Sequence, residues 1–195
     1  MQKTLLFLLA LACAVAARAD DFDLGTHGKL TLTLPKTWKA QGRDLMGQAF
    51  DITISPVGDA NAQGKLTVIY GKDDSFQDKA KVKAALQSLC EQFISGSVEQ
   101  KADVKTFTLR QGYGVYASFT DKDLVGKPPV KANYKTMTPG VIYLGNKVSV
   151  ATTIFADSLT GDEFKQLLAI VESIQLSPPK DDGKLAGATR PVPAL

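Results

Sequence analysis

Chemistry needs reactive side chains at workable spacings, and this chain offers few. His27 is its only histidine, so any histidine-dependent triad or zinc site must use it; it stands in the turn-like stretch Gly25-Thr26-His27-Gly28. Two cysteines occur, Cys13 and Cys90. One histidine and one or two thiols cannot close a zinc site. The sharpest enzyme hypothesis is therefore a Cys90–His27 dyad, because a thiolate beside an imidazole is a competent nucleophile. The spacing points elsewhere: Cys90 falls on one helical stripe with Leu86, Phe93 and Ile94, which is the setting of a buried, inert cysteine. No Gly-x-Ser-x-Gly elbow is present.

Asp73, Asp74 and Asp78 cluster, but the spacing is not that of a calcium loop. All three sit at or before the first turn of a predicted helix, where each carboxylate gains about 0.3–1 kcal/mol from the helix dipole. Gly112-Tyr113-Gly114 with Ala117 matches the letters of a dinucleotide fingerprint. Residues Val115 to Phe119 alternate as a strand rather than opening a helix, so these glycines are expected to serve a hairpin turn and close strand packing. No catalytic residue, cofactor or metal ligand is expected. The candidate interaction surface is Trp38, Lys127, Lys131, Tyr134 and Lys135, centred on the Gly- and Pro-containing stretch 121–133, because long loops in small domains are disproportionately functional.

The elements that must position these residues are read from periodicity. Leu30, Leu32 and Leu34 alternate with threonines, as do Phe50, Ile52 and Ile54 with polar residues, and Leu66, Val68 and Tyr70 after them, giving three half-buried strands. The period then changes: Val82, Leu86, Leu89, Cys90, Phe93 and Ile94 describe a helix ending near Gly96, with Ser75 and Asp78 as a capping box. Val104–Arg110 and Tyr113–Thr120 read as a hairpin about Gln111-Gly112, and Ile142–Leu144 and Val148–Phe155 as another about Gly145-Asn146. Thr160 and Glu163 are the capping box of a last helix carrying Phe164, Leu167, Leu168, Val171 and Ile174. Six to seven strands in hairpin-type links, with two helices each coming after a block of strands, predict an α+β protein built on an antiparallel sheet.

The chain has 195 residues. Lys3, the apolar run from Leu5 to Ala17 and the small residues of Ala17-Arg18-Ala19 read as a signal peptide cleaved after Ala19, which implies a periplasmic or secreted protein. The expected organisation is a leader over 1–19, a single domain over 20–176 and a flexible tail over 177–195. The apolar run is short for a bilayer span, and no later segment is long enough for one. Lipid attachment at Cys13 is disfavoured because Ala10 stands where a lipobox carries leucine. Without Cys13, Cys90 is left with no disulfide partner, and a monomer is expected. Without Lys3 and Arg18 the balance is 21 basic to 20 acidic residues, a net of +1, which gives no electrostatic case for nucleic acid.

The element Leu34-Pro35-Lys36-Thr37-Trp38, with the order three strands, helix, four strands, helix over about 22–176, resembles the PsbP/Mog1 superfamily, whose bacterial members include exported proteins of the DcrB type. The resemblance implies an α/β/α sandwich and a non-catalytic binding or accessory role, with another envelope protein as the partner class. It places no ligand residue on this chain. The competing expectation is a small periplasmic hydrolase or thiol-dependent enzyme using Cys90 or scattered carboxylates.

Overall fold

The computed structural model describes residues 17–179; Lys3, the Leu5–Ala16 part of the apolar run, Cys13 and most of the expected tail lie outside the described residues. The α+β class with two helices holds, and every strand pair is antiparallel, but the described residues form eleven strands in two sheets rather than six or seven in one. The larger sheet runs β3 (Trp38–Asp44), β4 (Ala49–Pro56), β5 (Ala62–Tyr70), β10 (Val148–Ala156), β9 (Thr136–Gly145), β7 (Tyr113–Tyr116), β6 (Lys105–Thr106), with β8 (Phe119–Thr120) also on β9. A smaller sheet is ordered β1 (Ala17–Asp23), β2 (Lys29–Pro35), β11 (Gln175–Ser177).

The large sheet is covered on both faces, and alternation along its strands decides which residue meets which cover. Ile52, Ile54, Leu66, Val68, Ile142, Val150 and Ile154 point to one face, where they pack with Leu30, Leu32 and Leu34 of β2 and with Leu167, Ile170 and Val171 of α2 (Asp162–Glu172). Val115, Val141 and Tyr143 point to the other, where α1 (Lys79–Ile94) lays down Val82, Leu86 and Cys90 at helical i, i+4, i+8 spacing. The α1 side is the smaller of the two cores.

The strands that alternation missed are those without a one-sided apolar pattern. β3 is an edge strand on which only Trp38 is fully buried, and β1 carries three aspartates around one buried Phe22. β9 extends six residues further back than expected, through Pro139 and Gly140. Pro139 has no N–H to give, but its carbonyl accepts from Ala117 N at 3.1 Å, so the strand continues past it. The expected leader boundary after Ala19 falls within β1, whose Ala17, Arg18 and Ala19 pair with Pro35, Leu34 and Thr33. Ser177, expected to begin the tail, closes β11.

Turn and cap positions differ in detail. The β9–β10 turn is Asn146-Lys147, both at positive φ, one residue later than Gly145-Asn146, and a bulge at Val148/Ser149 absorbs the shift. Asp78 alone caps α1, accepting from Ala80 N at 2.8 Å, while Ser75 opens a separate short helical turn. The Thr160–Glu163 box does not form: Gly161 is the N-cap of α2 and carries no side-chain bond. The hairpin across Gln111-Gly112 is ladder-paired over only two residues of β6; Phe107 N adds one backbone bond to Gly114 O at 3.0 Å, and side chains take over from Thr108 on. Glu172 accepts from Thr108 N at 2.7 Å, and the Gln111 amide both donates to Leu144 O and accepts from Leu176 N. Gly112 has φ +79, and a Cβ there would lie 2.0 Å from Tyr143 O; a Cβ at Gly114 would lie 2.7 Å from the Ile142 side chain and 3.0 Å from that of Phe107. The Gly-Tyr-Gly triplet is thus a turn and a close strand contact.

Candidate functional site

The stretch 121–133 is long but tied down. Asn61, just before β5, accepts from Ala132 N at 2.9 Å and donates to Val130 O at 3.1 Å, and its amide also reaches both oxygens of Asp157 at 3.0 and 3.1 Å. Asp121 accepts from Asp123 N at 2.8 Å to start a short helical turn, and Lys135 donates from its ammonium to Lys127 O. Fixing the loop from both ends leaves an open groove of about 460 Å³ beside it, within the usual size range of binding pockets.

Four other elements complete the groove. The last turn of α1 and the residues after it give Gln92, Phe93, Gly96 and Ser97; β8 and its end give Phe119 and Asp121; β9 and β10 give Met137 and Phe155. Met137 and Phe155 are direct cross-strand partners on the face that α1 covers further along the sheet. Two aromatic pairs line the space: Phe93 with Phe119 at 5.9 Å between ring centres, and Tyr134 with Phe155 at 5.3 Å. Burial, together with the charge of Asp157, raises the Tyr134 hydroxyl above its ordinary range, so it stays a neutral donor and acceptor.

The candidate surface residues separate. Tyr134 and Lys135 line the groove, while Lys127 and Lys131 are exposed on the loop, Lys131 beside Asp59 at 3.6 Å. Trp38 is corrected: it is only 2 % exposed, and its indole N–H donates to Gln166 on α2 at 2.6 Å, so it is a core residue joining the large sheet to α2 rather than part of a surface. Phe93, Phe119 and Phe155 were missed. For Phe155 there was a sign, since period two puts this large aromatic on one face with Ser149, Ala151 and Thr153.

The remaining chemical candidates do not assemble. Cys90 is buried under α1, where burial pushes its thiol up to about 11. His27 lies in the β1–β2 connection and stacks on Tyr70 at 3.9 Å, and Tyr70 packs against the core on the opposite face of the sheet, so the dyad does not form. That stack lines a second hollow of about 250 Å³ with Asp23, Asp44 and Phe50. Burial, then the Asp44 charge, raises the Tyr70 hydroxyl. The carboxylates before α1 also diverge. Asp73 accepts from Ser75 N and Asp78 caps the helix, but Asp74 turns away to the β9–β10 turn, accepting from Tyr143 Oη at 2.6 Å and Lys147 N at 2.9 Å. Lys79, Lys81 and Lys83 are exposed, with Lys79 5.0 Å from the Tyr113 ring centre.

Among the described residues, no group of three or more His, Cys, Asp or Glu side chains comes together as a metal site, and no helix is long and apolar enough to cross a membrane. No protein-family model matches the chain, and no curated protein matches it.

Proposed function

We propose that this chain is an exported, non-catalytic binding or accessory protein of the bacterial envelope, built as an α/β/α sandwich of PsbP/Mog1-like type, that engages another envelope protein through the groove beside the 121–133 loop. The observation that carries this reading is the groove itself: two aromatic pairs drawn from α1, β8, β10 and the residues just before β9, with a loop fixed by Asn61 along one side. Aromatic, partly exposed and pre-ordered surface is what association favours, because little side-chain or loop freedom remains to be lost. The leader read over residues 1–19 supplies the compartment.

A photo-crosslinking residue at Asn133, on the groove, is compared in living cells with one at Lys83, on the exposed side of α1, and the intact mass of the recovered protein is read in the same sample. The expected result is one stoichiometric partner from position 133, none from position 83, and a mass that starts at Asp20. Equal or absent capture at the two positions, or a chain retaining its leader, overturns the reading.

A further inference from the structure

The groove's composition points to one kind of occupant. Four of its lining residues are aromatic, and the face of an aromatic ring carries the negative part of its quadrupole, which draws cations within about 6 Å. Phe93, Tyr134 and Phe155 are half-buried in the lining, and Phe119 is buried against Phe93. Beside the rings stand two exposed carboxylates, Asp121 and Asp123, and neither makes an ion pair among the described residues. Against these two carboxylates the lining holds one ammonium, that of Lys135, which donates to Lys127 O and keeps its charge, and neighbouring Lys122 donates to Ser95 O at 2.9 Å. Aromatic side chains, Met137 and two carboxylates without ion pairs together suit a side chain with a long apolar stem and a positive head, that is, arginine or lysine.

We infer that the groove receives a basic peptide segment of the partner, seating an arginine or lysine side chain against the Phe93–Phe119 and Tyr134–Phe155 pairs with its charge at Asp121 and Asp123. This inference rests on the binding role proposed above. Electrostatic complementarity of this sort sets partner choice and salt dependence more than raw affinity, because the carboxylates are exposed.

The test uses the isotope-labelled protein in the form the cell produces, titrated with acetyl-Phe-Arg-Phe-Arg-amide and acetyl-Phe-Glu-Phe-Glu-amide while amide signals are monitored. The expected result is signal changes at residues 92–97, 119–123, 132–137 and 155, with the basic peptide bound about tenfold tighter at low salt. Asp121→Asn with Asp123→Asn leaves the 121–123 turn its acceptor and brings that preference below about threefold, while Tyr134→Ala weakens both peptides. Equal affinity of the two peptides at the groove overturns the cation inference and leaves the binding role standing. Signal changes confined to other surfaces, or none with either peptide, overturn both.

Discussion

Cys90 shows how a single residue's burial becomes a measurable dependence on pH. Its thiol titrates at 9.0 when unperturbed and at about 11 under α1, because the thiolate loses water it cannot replace. Below pH 9 the group is protonated in both states and its contribution to stability is constant. Between pH 9 and 11 the unfolded chain releases a proton that the folded one retains, so stability falls, by about 2 kcal/mol across that window. The difference between the unfolding free energies of the protein and Cys90→Ala, measured by urea titration from pH 7 to 11, is expected to narrow over that window and be flat below it; parallel curves would mean an accessible thiol. The burial of Cys90 was legible because one helical turn relates it to Leu86 and Ile94. Trp38 was not legible in the same way. An indole with a polar N–H suits a surface or a core equally, and what settles it is Gln166, far away in the chain on α2.

Among the elements, sequence reading succeeded where a strand has one wet and one dry face. β2, β4, β5 and β10 all show that pattern, as do the two helices at their own period. It failed for β1 and β3, whose outward faces and edge positions favour charge over alternation, and for the first half of β9, where Pro139 and Gly140 mimic a break. The 121–133 loop is the converse case. Its Pro and Gly content marked it as a loop, but its order comes from Asn61, a residue that composition places in an unremarkable connection. The three phenylalanines of the groove come from α1, β8 and β10, so nothing local joins them. Asn61→Ala removes the acceptor for Ala132 N and the donor to Val130 O and Asp157 together. Expected consequences are a loss of about 1–3 kcal/mol and faster cleavage after Lys131 by limited trypsin treatment, Lys127 being shielded by the proline that follows it, with the sheets intact by circular dichroism. Cleavage at the rate of the unaltered protein would show that the loop holds itself in place.

At the scale of the whole molecule, one sheet divides two cores of unequal size, and the groove draws a wall from the smaller. Phe93 and Gln92 belong to the last turn of α1, which is held to the sheet by Val82, Leu86 and Cys90 on a narrow stripe. α2 and β2 instead seal a far larger apolar layer on the other face. A helix resting on the smaller core is expected to open without the rest of the chain, as a unit of lower stability. Two substitutions separate this from all-or-none unfolding. Leu86→Ala weakens every state in which α1 is docked, so it lowers the exchange free energy of α1 amides and of β10 amides alike, by about 2–5 kcal/mol. Leu167→Ala damages the far core, which stays closed while α1 is open. It therefore lowers the exchange free energy of β10 amides by a similar amount and leaves that of α1 amides unchanged, as long as global opening remains the costlier event. Native-state hydrogen exchange on the two variants reads both quantities directly. Should Leu167→Ala lower both sets equally, the two cores unfold as one. If they separate, α1 is the movable wall of the groove, and a bound segment that touches Phe93 raises the exchange free energy of α1 through mass action on that opening.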